Sequence, residues 1–221
     1  MEKLQLKQDR FKYLVSESIN TGRYERKYPF TKFHHNKILH NLFNAGFIRH
    51  HDSRLISSIY FDTDNKLFLV SNLDGNSNRI KVRLRSYNNS KQFNLEFKLK
   101  SNGIGYKKVI NNFMTKNINF EEINNEILTQ TGYCVKPVSN VSYFREYFVH
   151  PHFNIRASVD SSLLFENREI DHNQFSTKYS VLEFKYPLNV DVIFKKIIHT
   201  NFFDIFRFTK FSKYIESINQ Q

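Results

Sequence analysis

Alternation of polar and apolar residues is densest between Arg79 and Lys100, in RIKVRLRSYNNSKQFNLEFKLK. Arg79, Lys81, Arg83 and Arg85 fall on one face and Ile80, Val82 and Leu84 on the other; after a polar break, Asn94, Glu96, Lys98 and Lys100 alternate with Phe93, Leu95, Phe97 and Leu99. A period of two is that of a β-strand, because successive side chains point to opposite faces of the sheet. The segment therefore predicts a hairpin turning at Asn88-Asn89-Ser90, with one apolar and one cationic face. Bases in a row on one strand face, about 7 Å apart, repel one another. A polyanion laid along them removes that repulsion; the competing explanation, for this hairpin taken alone, is a solvated outer face.

The period changes elsewhere. Leu4, Phe11, Leu14, Val15 and Ile19 recur at helical spacing and predict a peripheral helix over 4–19 with Gly22 as its C-cap. Residues 23–28 read as a strand carrying Arg23, Glu25 and Lys27 on one face, ended by Pro29. Ile38, Leu39, Leu42, Phe43 and Phe47 predict a helix over 31–47. A strand over 56–62 follows, then Thr63-Asp64 as caps of a short helix over 65–71, and a turn at Asp74-Gly75-Asn76. Beyond the hairpin a glycine-containing loop leads to Tyr106-Lys107-Lys108-Val109. A helix is predicted over 120–131, with Asn119 as N-cap and Gly132 past its end. Strands over 138–149, 155–160 and 180–186, a helix over 193–198 and a basic, aromatic tail at 208–214 complete the chain. No repeat, linker or low-complexity stretch interrupts it. The expectation is a peripheral helix within 1–22 and a single α+β domain over 23–221, dominated by antiparallel strands.

Charge narrows the partners. Lys and Arg number 33 against 21 Asp and Glu, a formal net charge of +12, which points to nucleic acid, nucleotide, a phosphate polymer or a membrane surface. There is no Trp and no aromatic-basic pattern of an RNA module, so nucleic acid is not the expected partner. The one cysteine, Cys134, excludes an intrachain disulfide framework and a cysteine-cluster zinc site. His34, His35, His40, His50 and His51 lack a recognisable ligand spacing and are expected at the surface. The charged start MEKLQLKQDRF has no apolar signal core and no run approaches a membrane span. A soluble cytoplasmic protein is expected, with a membrane partner protein left open.

The polar faces share a unit. Glu25/Lys27, Glu96/Lys98 and Glu183/Lys185 are Glu-x-Lys pairs on three separate strands, and Arg145, Arg156, Ser158 and Asp160 lie on others. A solvated face has no reason to repeat that unit, whereas a closed barrel with a charged interior does. Such an interior is costly unless phosphates satisfy the bases and a divalent cation the carboxylates.

RYERKY, SIYFDT, RIKVRLRSY, LEFKLK, SYFRE, IRASVD, VLEFKY and KFSKY, in that order, resemble the VTC domain, the polyphosphate-polymerase branch of the CYTH-like triphosphate tunnel superfamily. The resemblance runs from about Arg23 to Tyr214. It implies an antiparallel eight-stranded tunnel barrel flanked by helices, binding ATP and polyphosphate with Mn²⁺ or Mg²⁺. It implies a catalytic and phosphate-gripping role for Arg83, Arg85, Lys98 and Arg156. Lys27, Arg145, Lys185, Lys210 and Lys213 join them as phosphate ligands, and Lys107 or its neighbour Lys108 as a further base. Glu183 is the foremost implied metal ligand, with Glu96 and Glu25 beside it. The hydrolase branch opens with Glu-x-Glu-x-Lys; here Arg23 replaces the first carboxylate. Losing a carboxylate and gaining a base suits a polymerase, which must hold a second phosphate chain. The expected function is transfer of the ATP γ-phosphoryl group to a growing polyphosphate chain. A tunnel triphosphatase and a non-catalytic polyphosphate or nucleotide sensor are the alternatives.

Overall fold

The computed structural model describes residues 2–20, 22–102, 104–114, 119–168 and 174–202. In chain order its elements are α1 (Glu2–Ser16), β1 (Ile19–Asn20), β2 (Arg23–Thr31), a 3-10 turn leading into α2 (His35–Asn44), β3 (Ile48–Asp62), α3 (Leu67–Leu73), β4 (Arg79–Tyr87), β5 (Gln92–Ser101) and β6 (Ile104–Met114). They continue with α4 (Phe120–Thr131), β7 (Lys136–His150), β8 (Ile155–Asn167), β9 (Gln174–Ser176), β10 (Tyr179–Pro187) and α5 (Asp191–Phe202). The strands join in the order β1-β6-β5-β4-β3-β7-β8-β10-β2, with β9 on β8, and every register resolved is antiparallel. Eight of these strands are long; β1 and β9 have two and three residues. The class is α+β, an antiparallel sheet with flanking helices.

The contacts fall into two compact units. Unit 1 comprises residues 1–21, 56–141 and 165–174, and unit 2 comprises 22–55, 142–164 and 175–221. In unit 1 the apolar faces of β4 and β5 (Ile80, Val82, Leu84, Leu95, Phe97, Leu99) pack against Ile123 and Ile127 of α4, Leu14 of α1 and Phe68 of α3. Phe97 is fully buried, a gain of about 2–3 kcal/mol over leaving it in water. In unit 2, Val159, Leu182, Phe184 and Tyr186 pack against Ile38 and Leu42 of α2 and against Phe194, Ile198 and Phe202 of α5. In both units the alternation works as the sequence suggests: one face is sealed by helices, and the charges are left to the other.

Local chemistry sets the joints. The hairpin turns through Asn88 and Asn89, whose φ values of 51° and 56° are left-handed, where asparagine is tolerated better than most residues. Asn119 caps α4 by accepting from the backbone N–H of Glu121 and Glu122, and Gly132 ends it at φ 74°. α3 departs from expectation: Asp62 accepts from the N–H groups of Phe68 and Leu69, each at 2.8 Å, and Thr63 Oγ1 accepts from Leu67 at 3.0 Å. Asp64, expected as a cap, instead meets Lys136 at 3.1 Å on the surface.

Several boundaries differ from those read in the sequence. Pro29 lies inside β2, opposite Val181 of β10, rather than ending the strand. β2 is the last strand of the path, so a missing N–H there breaks no ladder among the described residues. α1 stops at Ser16, and Gly22 follows β1 instead of capping the helix. β3 begins at Ile48, well before residue 56, because its first five residues are exposed and show no alternation to read. The tail at 208–214, with Lys210 and Lys213, lies outside the described residues.

Candidate functional site

Unit 1 carries its charges on the uncovered face of β3–β6. Register places Tyr60 opposite Arg83 and Arg83 opposite Glu96 in one row. The next row sets Lys81 opposite Lys98 and Lys98 opposite Lys107. Buried Glu96 is the hub. Arg83 donates to its Oε2 from Nε at 2.7 Å and Nη2 at 2.6 Å, Lys107 reaches Oε1 at 2.9 Å, and Arg85 stands 3.7 Å away. Burial alone would raise the Glu96 pKa; Arg83, Arg85 and Lys107 outweigh it and hold it down at about 2. Tyr60, which carries no formal charge and so drew no notice in the sequence, accepts from Arg83 Nη1 at 3.2 Å.

The choice between Lys107 and Lys108 resolves by register. Lys107 opposes Lys98 on the charged face, whereas Lys108 opposes Phe97 and donates to Gln130 of α4 at 3.0 Å. Lys81 and Lys98 are exposed, and Arg85 also donates to Ser58 Oγ at 3.3 Å. Arg79 opposes Lys100 further along the hairpin and donates to the Asn76 carbonyl.

Unit 2 repeats the theme with different geometry. Antiparallel pairing of β2 with β10 sets Lys27 opposite Glu183 and Glu25 opposite Lys185, so two Glu-x-Lys units interlock across the strands. On the other side Ser158 opposes Glu183, and Arg156 opposes Lys185. Glu183, only 3% exposed, has Lys185 at 3.3 Å, Arg145 at 3.4 Å and Lys27 at 3.5 Å. Arg145 of β7 directs its fork at Asp160, from Nε at 2.5 Å and from Nη2 at 2.6 Å. Burial would lower the Arg145 pKa, yet Asp160, with smaller help from Tyr143 and Glu183, holds it well above the ordinary value. Glu25 sits 3.9 Å from Arg23.

A cavity of about 330 Å³ opens on this face, lined by Arg23, Arg145, Arg156 and Lys185 with Glu183, and by His50 and His51 of β3. The two histidines are exposed, as expected, but they border this pocket. Partial desolvation and the nearby His50, Arg54 and Arg156 keep His51 below its usual pKa. Among the described residues no three His, Cys, Asp or Glu side chains form a metal site by themselves. Asp160 is engaged by Arg145, which leaves Glu183 as the buried carboxylate on the cavity. Such a donor set fits a divalent cation whose remaining ligands are phosphate oxygens and water, and does not fit a cage made by protein alone.

A basic, carboxylate-poor cavity in one unit and a cation-ringed carboxylate in the other are both chemistry for phosphate chains. Residues 7–221 match the family model of the VTC domain. This chain belongs to the VTC domain family. Its fold is shared with two solved structures. One is described as a candidate adenylate cyclase from Bacillus halodurans, at 15% identity and TM-score 0.56, covering 86% of this chain and 96% of that one. The other is a candidate adenylyl cyclase from Hippeastrum, reported to have a dominant triphosphatase activity, at 13% identity and TM-score 0.50, covering 87% and 95%. No curated protein matches this VTC-domain chain. The match shows the family, and the two structures show a shared fold. Among the described residues no helix is long and apolar enough to cross a membrane.

Proposed function

We propose that this VTC-domain protein is a polyphosphate polymerase: the terminal phosphate of a polyphosphate chain attacks the γ-phosphoryl group of ATP, and ADP leaves. The observation that carries this reading is the unit 2 cavity, where Arg23, Arg145, Arg156 and Lys185 surround a single buried carboxylate. Phosphoryl transfer asks for positioning and charge neutralisation rather than a covalent nucleophile, and bases in this density supply both. Arg156 and Lys185, neighbours across β8 and β10, take adjacent phosphates; Lys27 closes the row beside Glu183. In unit 1, Arg85 provides a planar fork suited to two oxygens of one phosphate; Arg83, whose Nε and Nη2 are held by Glu96, offers its Nη1, and Lys98 and Lys107 add point charges alongside. Arg145 orients rather than grips, since Asp160 occupies its fork.

Mn²⁺ or Mg²⁺ bound at Glu183 would neutralise charge on the phosphate oxygens. Glu183 suits this because Lys185 at 3.3 Å and Lys27 at 3.5 Å can turn toward substrate phosphates when a cation arrives, while Arg145 stays with Asp160. Glu96 and Glu25 are weaker candidates: the first is held by shorter contacts, and the second lies between Arg23 and Lys185.

The triphosphatase reading draws support from the activity reported for the Hippeastrum protein. Arg23 argues against it, because a base stands where the hydrolase pattern has a carboxylate. Purified protein incubated with ATP and Mn²⁺ separates the readings. Polyphosphate chains plus ADP are the expected products. Orthophosphate without chains would make the protein a hydrolase, and unchanged ATP with measurable binding would make it a sensor.

A further inference from the structure

Tyr60 stands among the unit 1 bases without a charge of its own. It lies on β3, opposite Arg83 of β4, on the face that carries Glu96. Arg83 Nη1 donates to the phenol oxygen at 3.2 Å, which occupies an acceptor position and leaves the O–H free to donate. Among the described residues nothing accepts from it. The nearest carboxylate hub, Glu96, is already filled by Arg83, Lys107 and Arg85. A hydrogen-bond donor thus stands in a field of cations, and among the described residues no carboxylate accepts from it.

We propose that the Tyr60 phenol is itself a ligand of the bound phosphate chain, donating its O–H to a phosphate oxygen that Arg83 also holds. The inference rests on the reading of the Arg83/Arg85 face as a phosphate site and adds to it a neutral ligand that couples binding to a proton. The charged groups that share its face are Lys81, Arg83 and Arg85 on β4, Glu96 and Lys98 on β5, and Lys107 on β6. Burial pushes the phenol pKa up, but Arg83, Arg85 and Lys81 outweigh it and bring it to about 7. Without an anion the side chain is therefore partly phenolate near neutral pH. A phosphate chain brings negative charge beside it and accepts only from the protonated form. Binding then draws a proton from solvent onto the phenolate oxygen, and affinity falls as pH rises through the free-state pKa.

The test is a tripolyphosphate titration of the full chain at about pH 8, where an unperturbed tyrosine is fully protonated and a depressed one is not. Phenolate ultraviolet absorbance is followed alongside calorimetric affinity. Wild-type protein is expected to lose phenolate absorbance on binding. Tyr60→Phe is expected to show no such loss and to bind about tenfold more weakly, the effect of one hydrogen bond to a charged acceptor. A tyrosine that only senses the charge of the bound chain would lose absorbance too, but its replacement by Phe would leave the affinity at the wild-type value. Arg83→Ala keeps two failures apart. If it binds like wild type, the phosphate-site reading falls and takes this inference with it. If it loses binding while wild type shows no absorbance change or Tyr60→Phe binds normally, only the Tyr60 inference is overturned. The wild-type absorbance titration needs no variant, so even with a poorly folded Tyr60→Phe an unchanged absorbance overturns the inference.

Discussion

Each unit holds one buried carboxylate ringed by three bases, and the rings differ in tightness. Around Glu96 the closest contacts are 2.6 and 2.9 Å, with Arg83 giving two donors to one oxygen. Around Glu183 the bases Lys185, Arg145 and Lys27 stand at 3.3, 3.4 and 3.5 Å, and Arg145 turns its fork to Asp160. One extra acid on β8 therefore changes the character of its neighbour. Glu96 works as a fixed counter-charge that sets the pose of Arg83 and Arg85. Glu183 has its three bases at 3.3–3.5 Å and is the carboxylate we propose exchanges a base for a cation. The two look alike in sequence, each the first residue of a Glu-x-Lys pair, and the difference lies in what stands across from them.

Stability should show this contrast most plainly. Glu96→Gln strands Arg83, Arg85 and Lys107 around a neutral group and is expected to cost about 3 kcal/mol, as for removal of one partner from a buried pair. Glu183→Gln is expected to cost about 1 kcal/mol, since Asp160 still compensates Arg145. Denaturant unfolding of both variants checks this, and equal losses would dissolve the distinction. Acid supplies an independent handle on the same residue. The folded pKa of Glu96 is depressed, from 4.5 to about 2. Its contribution is therefore complete above pH 4.5 and is lost as pH falls through about 2. Wild-type stability should fall across that window, and the Glu96→Gln profile should be flatter there.

Next in size is the metal requirement. If Glu183 holds the cation, Glu183→Gln should lower turnover at least about tenfold at limiting Mn²⁺ and recover partly at high Mn²⁺, while Glu96→Gln leaves the half-saturating metal concentration unchanged. Identical metal titrations for the two would show that tightness of pairing does not select the cation ligand. A weaker effect belongs to Lys108, whose amine lies on the helix side with Gln130. Lys108→Gln should leave phosphate affinity within about twofold of wild type, and Lys107→Gln should not, because only Lys107 shares the face of Glu96.

Much of this was legible in the order of residues alone. The Arg79–Lys100 alternation marked the hairpin and its two faces, and Asn119 with Gly132 bounded α4 at the residues observed. What escaped the sequence depended on pairing across strands. Tyr60 looked like one more apolar strand residue between Ile59 and Phe61; the available signal was its spacing of two from Ser58 and Asp62, which only strand pairing turns into a place opposite Arg83. Asp160 was seen on a polar face, but that it would capture Arg145 follows from where β7 runs relative to β8. Pro29 misled because a proline ends strands in the middle of a sheet, and β2 is not in the middle. Lys107 and Lys108 are adjacent, so a one-residue uncertainty in register exchanged the charged face for the helix face.

If the bases of both units hold substrate phosphates, calorimetric titration of tripolyphosphate will register the loss of either set. Wild type is compared with Arg83→Lys/Arg85→Lys in unit 1 and with Arg156→Ala in unit 2. The lysine pair keeps the charge and removes the two-pronged fork, so its affinity should fall about tenfold or more with folding intact. Arg156→Ala removes an exposed cation from the cavity and should weaken binding by about tenfold and reduce its salt dependence. Wild-type affinity in both variants would overturn the phosphate reading: the rings of bases would then be compensating their own carboxylates and nothing more.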